Sequence, residues 1–154
     1  MSASAHFKEL LRKLNEHDVR FLIVGAYAVM KYTEPRYTKD LDIWVEPSPQ
    51  NAEKVFNALA EFGAPMGAVT TQDFTNQEIV FQIGIEPQRI DVMMSVKGLR
   101  FAEAWPRRVE TEFEGEPMSL ICKEDLLVAK VAAGRPQDLL DAEALRRSGR
   151  SSSS

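Results

Sequence analysis

The chain has 154 residues, 44% hydrophobic and 27% charged, which suits one globular domain and argues against disorder. Its net charge of −4 excludes a general basic coat for nucleic acid, though not a local basic groove. One cysteine, Cys122, excludes an internal disulfide and, beside two histidines, leaves no Cys/His zinc set; it fits a reducing, cytoplasmic setting.

Taken in chain order, Ser4 caps a first helix with Phe7, Leu10, Leu11 and Leu14 on one face. Phe21 to Val24 is a short apolar run ending at Gly25, as in a buried strand, and Ala26 to Tyr32 continues as helix. The longest apolar run, Phe21 to Met30, is far below the about 18 residues a membrane span needs. Leu41, Ile43 and Val45 alternate with Asp40, Asp42 and Trp44, the period-2 pattern of a strand. Ser48-Pro49 opens a helix to about Phe62 with Val55, Phe56, Leu59 and Ala60 inward, stopped by Gly63. Residues 63–77 read as loop, and Ile79 to Ile85 and Arg89 to Met93 as two strands turning at Glu86-Pro87. Val109 to Phe113 and Met118 to Ile121 form a hairpin; Lys123 to Ala133 is a helix closed by Gly134, and Pro136 opens a last one to about Arg147. The result is one α/β (α+β) domain over 1–147, with a mixed, mostly antiparallel sheet flanked by helices and a flexible tail at 148–154.

Asp40 and Asp42 leave the same face of their strand, about 7 Å apart at Cα. Such a pair repels itself unless a cation relieves it, and Mg²⁺ favours carboxylate oxygens together with substrate phosphates. Asp91, between Ile90 and Val92, adds a third carboxylate if its strand lies beside the first. Three such groups can hold two metals about 3.5–4 Å apart for in-line phosphoryl transfer. The competing reading is a solvated acidic sheet face. An EF-hand is excluded, because Val45 and Asn51 occupy the positions that need Gly and Glu. Gly25 is either a plain strand-to-helix turn or the anion site that backbone N–H groups and a helix dipole make for phosphate.

The stretch VGAYAV…PRYTKDLDIWV resembles the minimal nucleotidyltransferases of the polymerase-beta-like superfamily, within it the small bacterial group related to abortive-infection toxins. Arg36, Thr38, Asp40, Leu41, Asp42 and Ile43 match the group's pattern, and LLVAKVAAGRPQDLLDAEAL matches its helical ending. Ala26 stands where the group has a second Gly or Ser, and Tyr32-Thr33 where it commonly has His-Gly. The resemblance implies a nucleotidyltransferase-like fold and transfer of a nucleoside monophosphate from an NTP, ATP among the candidates, to an acceptor hydroxyl. It implies Mg²⁺ or Mn²⁺ on Asp40, Asp42 and Asp91, and nucleotide contacts from Gly25, Ala26, Thr38 and Lys130. The acceptor would be a tRNA end, a protein side chain or a small molecule, and a protein partner, as in a toxin–antitoxin pair, is an expectation of the same kind. A nucleotide-binding, antitoxin-like module without turnover and a metal-dependent nuclease are the alternatives; the Gly25 turn argues against the nuclease, which has no triphosphate to cradle.

Other residues carry two readings each. Lys130 is a phosphate-binding lysine or a surface lysine lying over apolar neighbours. Arg135 and Asp138 form an ion pair pinning the last two helices, or a cap of the final one. Trp44 stacks on a base or packs, with packing favoured. Arg100, Arg107, Arg108, Arg146, Arg147 and Arg150 line a local groove or form an ordinary solvated face, the latter favoured.

Overall fold

The structure is a computed structural model that describes residues 3–35, 40–84 and 89–152. Helix α1 (Ala3–Glu16) leads to β1 (Phe21–Val24), α2 (Gly25–Tyr32), β2 (Asp40–Val45) and α3 (Pro49–Phe62). Strands β3 (Val80–Ile83) and β4 (Arg89–Met93) follow, then α4 (Phe101–Ala104), β5 (Val109–Phe113), β6 (Glu116–Leu120), α5 (Lys123–Ala133) and α6 (Pro136–Ser152).

The strands make one six-stranded sheet in the order β3-β4-β2-β1-β6-β5. β1 pairs with β2, β3 with β4 and β5 with β6 antiparallel, whereas β2–β4 and β1–β6 are parallel. The sheet is therefore mixed and mostly antiparallel, as the strand pattern predicts. The alternation along β2 buries Leu41, Ile43 and Val45 in the core, which the four expected apolar residues of α1 also join. Trp44 packs rather than stacks: it is buried, its ring edge-to-face on Phe101 at 5.1 Å, and Phe101 in turn lies against Trp105.

Local chemistry sets the helix ends. The Ser48 hydroxyl accepts from the Asn51 N–H, and Gly63 closes α3 at φ 100°, which favours glycine. Cys122 is the small buried residue expected, and its Sγ also accepts from the Asp125 N–H at 3.4 Å to cap α5. Asp125 in turn takes two 3.0 Å bonds from Arg107.

Several boundaries differ from the sequence reading. On α3 the inward alanines are Ala52 and Ala58, in a stripe with Val55 and Leu59, and Ala60 is exposed. The stretch 63–77 holds a short 3-10 helix, Thr71–Thr75, where Asp73 Oδ2 accepts from the Thr70 N–H. α4 is a four-residue helix with no periodicity to announce it. α6 runs past Arg147 to Ser152. The Glu86-Pro87 turn lies outside the described residues.

The α5–α6 corner is clamped by charge. Asp138, buried, accepts from Arg135 through both Nε at 2.6 Å and the backbone N–H at 3.2 Å, so the ion pair is also a cap of α6. Lys130 Nζ lies 3.4 Å from Asp138 and 3.0 Å from Asp141. The Arg135 hydrogen bond, aided by Lys130, holds the Asp138 carboxyl below the usual carboxylate range. A group whose folded pKa is depressed stabilises the fold above its unfolded value, near 3.9, and loses that contribution as pH falls through the folded value. Asp138→Asn is therefore expected to melt about 5 °C lower at pH 7 and to show a shallower loss of melting temperature as pH falls below about 4. Thermal scans across that range check both.

Candidate active site

Strand periodicity puts Asp40 and Asp42 on one face, and the sheet supplies their neighbours. In the parallel β2–β4 pair Asp42 lies opposite Asp91, and Asp40 opposite Arg89. On the other side Asp42 lies opposite Val24, the last residue before Gly25. Three elements thus meet at one carboxylate: the start of β2, the start of β4, and the turn from β1 into α2.

Asp42 has little water to spread its charge. Its carboxyl is pushed up to about 6, first by burial and then by the Asp91 and Asp40 carboxylates, with Lys130 and Arg89 pulling the other way. Asp91 is shifted upward as well, again mainly by burial and partly by Asp40, against the pull of Arg89. Like charges kept together in a poorly hydrated place are costly, and here one guanidinium offsets them. Arg89 donates from Nη2 to Asp40 Oδ2 at 3.1 Å and to Asp91 Oδ2 at 3.3 Å.

Gly25 explains the approach from the other side. Its φ is 72°, and a Cβ there would fall 2.0 Å from Asp42 Oδ2. Only glycine lets the backbone at the start of α2 lie against that carboxylate. Among the described residues no side chain caps α2, and its first N–H groups have no partner within the helix.

Of the residues singled out from the sequence, the structure brings Asp40, Asp42, Asp91, Gly25 and Ala26 together. Lys130 stands near enough to act on the Asp42 charge, but its ammonium is held by Asp138 and Asp141, an engaged, half-buried cation rather than a lysine free to snorkel. Arg36 and Thr38 lie outside the described residues. Four of the six arginines raised for a basic groove are held by local partners. Arg107 is bound to Asp125, Arg108 to Glu110 and over the Trp105 ring, and Arg146 and Arg147 pair with Glu143. Arg89 is the residue that sequence reading missed. Its signal was its place two before Asp91, hence on the same strand face, but its meaning depends on the register that sets it against Asp40.

The convergence of carboxylates is narrower than three free groups. Among the described residues, no three acidic, imidazole or thiol side chains sit closely enough to enclose a metal ion by themselves, and Arg89 stands between Asp40 and Asp91. The donor set still fits a hard divalent cation. All its donors are carboxylate oxygens, and Asp91 Oδ1 is buried with no hydrogen bond. Phosphate oxygens of a nucleotide would supply the remaining ligands.

Residues 3–151 match the family described as nucleotidyl transferase of unknown function (DUF2204). No curated protein matches the chain. Solved structures share its fold at low identity. The lincosamide antibiotic adenylyltransferase LnuA, in a lincomycin-bound crystal structure, superposes with a TM-score of 0.60 at 17% identity, covering 92% of this chain and 95% of that one. The antibiotic-resistance factor ANT(2'')-Ia gives 0.59 at 14%, covering 96% and 83%. An antigenic nucleotidyltransferase-like protein from Paracoccidioides brasiliensis gives 0.54 at 13%, covering 93% and 74%. The family match spans nearly the whole chain, which therefore belongs to this nucleotidyl transferase family.

Proposed function

We propose that the chain, as a member of this nucleotidyl transferase family, moves a nucleoside monophosphate from a nucleoside triphosphate to an acceptor hydroxyl in a reaction that depends on Mg²⁺ or Mn²⁺. The observation that carries this reading is the desolvated Asp42, paired in register with Asp91 and pressed against the uncapped start of α2. Carboxylates that repel one another and N–H groups that seek an anion are complementary to a metal-bound triphosphate.

In this reading Asp40, Asp42 and Asp91 would hold the cation, which when bound offsets phosphate charge as the leaving group departs. The N–H groups at Gly25 and Ala26 bind phosphate oxygens; Ala26 contributes through its backbone alone, since it has no hydroxyl. Thr38 adds a hydroxyl to a phosphate. Lys130, fixed by its two aspartates, adds positive potential at the phosphate end rather than a long reach. The acceptor oxygen attacks the α-phosphorus and forms the new O–P bond. The bond from that phosphorus to the β-bridging oxygen breaks, and pyrophosphate leaves with the electron pair. The hydroxyl proton passes to the Asp91 carboxylate, which needs to lie within about 3 Å of the acceptor oxygen.

Two structural neighbours are an adenylyltransferase crystallised with its antibiotic and an antibiotic-resistance factor, which makes a hydroxylated small molecule the first acceptor class to test, ahead of a tRNA end or a protein side chain. One observation favours a second reading, a nucleotide-binding module without turnover that serves a protein partner as in a toxin–antitoxin pair: Ala26 lacks the hydroxyl that the Gly-Ser members of the group it resembles carry at the turn. Titration calorimetry with Mg²⁺ complexes of ATP, CTP, GTP and UTP, paired with a pyrophosphate-release assay against aminoglycosides, lincosamides, tRNA and cell lysate, separates the two. Binding with release supports the transferase. Binding with no release under any acceptor supports the module, and RNA cleavage without added NTP would replace both with a nuclease.

A further inference from the structure

We propose that Arg89 is a resident counter-cation bridging Asp40 and Asp91, two of the carboxylates that would hold a divalent metal, and that its guanidinium must swing out before the metal set can form. The inference rests on the metal-dependent reading of this site.

Three observations carry it. First, position: Arg89 lies opposite Asp40 across the β2–β4 pair and two residues before Asp91, so β4 alone aims its side chain over the same face as all three aspartates. Second, reach: one guanidinium touches both outer carboxylates, at 3.1 Å to Asp40 Oδ2 and 3.3 Å to either oxygen of Asp91. It bridges them as a cation would, and it cannot shed its charge by deprotonation, so only movement removes it.

Third, fit: the contact is a poor one for arginine. Arg89 Nε and Asp91 Oδ1 lie 3.3 Å apart, yet both are buried without a hydrogen bond. Elsewhere in the chain the same chemistry is well made. Arg107 grips Asp125 through two 3.0 Å bonds, and Arg135 reaches Asp138 at 2.6 Å. A fork that satisfies neither its own Nε nor its partner's Oδ1 is held by charge more than by hydrogen-bond geometry, and a better-placed cation can displace it. Space for the movement exists, because the Arg89 side chain is about one-third exposed whereas that of Asp91 is 12% exposed.

Removal of Arg89 should therefore strengthen metal binding, the opposite of what loss of a supporting residue does. The test is a Mn²⁺ titration without nucleotide, read from the electron paramagnetic resonance signal of free Mn²⁺, on the full chain and on Arg89→Gln and Arg89→Lys. Arg89→Gln is expected to bind Mn²⁺ at least about fivefold more tightly, the screened remnant of one unit charge a few ångströms away. Arg89→Lys, which keeps the charge but loses the fork, should fall between the two; it also serves if Arg89→Gln does not fold. In chelator Arg89→Gln should melt below wild type, and saturating Mn²⁺ should raise its melting temperature by more than it raises that of wild type. Equal or weaker Mn²⁺ binding by both variants overturns the inference and leaves the metal-dependent reading intact. No Mn²⁺ binding by wild type or either variant, with or without NTP, overturns that reading and the inference with it.

Discussion

Asp42→Asn is expected to lower nucleotidyl transfer by about a thousandfold, since a carboxylate that holds a cation against phosphate charge contributes several kcal/mol and each 1.36 kcal/mol is tenfold in rate. Its effect on stability should have the opposite sign from most buried-charge substitutions. Asp42 sits among like charges, and its carboxyl is pushed up to about 6 by burial and by Asp91 and Asp40. Removing that charge relieves repulsion, so in chelator the variant should melt at or above the wild-type temperature. With millimolar Mg²⁺ or Mn²⁺ and an NTP, wild type should gain melting temperature by mass action, and Asp42→Asn should lose most of that gain. A variant that melts well below wild type in chelator would make Asp42 a structural acceptor. Asp40 differs, because its carboxylate is paired with Arg89 at 3.1 Å and Asp40→Asn breaks a favourable contact as well.

Gly25→Ala should cost both fold and activity. A non-glycine residue at a positive φ costs about 1–2 kcal/mol, and forcing an extra methyl into a filled space adds about 1–3 kcal/mol. The space here is filled by the Asp42 carboxylate, with the added Cβ 2.0 Å from Oδ2, 2.8 Å from Cγ and 3.0 Å from Cβ of that residue. Either α2 moves away, taking the phosphate-facing N–H groups with it, or Asp42 turns from its place beside Asp91. Urea denaturation should show the variant destabilised by about 2–4 kcal/mol, the sum of the two terms after partial relaxation. The clash is with a side chain, so the cost should fall when Asp42→Ala is combined with it, and a double-mutant cycle measures that coupling. Strict additivity of the two substitutions would show that the strain lies in the backbone alone.

Much of this site could be read from residues. Period 2 in Asp40–Val45 gives the shared face of the two aspartates, the apolar run ending at Gly25 gives the turn, and Ile90 and Val92 place Asp91 by the same rule. Periodicity assigns a face, however, and not a neighbour. That β4 lies beside β2, parallel and with Asp42 against Asp91, depends on a crossover that no local pattern encodes. The contact of Arg89 with Asp40 was hidden for the same reason. Lys130 shows another limit. Its helix is legible, but its capture by Asp138 and Asp141 follows from how α6 folds back on α5 after Gly134. α4 and the Thr71–Thr75 helix are too short for a period, and they arise from tertiary packing of Phe101 and from the Asp73 carboxylate on the Thr70 N–H.

The most direct test of the central claim follows two labels through one reaction. The chain is incubated with Mg²⁺ or Mn²⁺ and each NTP labelled either at the α- or at the γ-phosphate, in the presence of the candidate acceptors and cell lysate. Nucleotidyl transfer predicts that the α-label becomes attached to an acceptor, that the γ-label appears only as pyrophosphate, and that Asp42→Asn does neither. Attachment of the γ-label to an acceptor, or α-label transfer by Asp42→Asn at the wild-type rate, would contradict it.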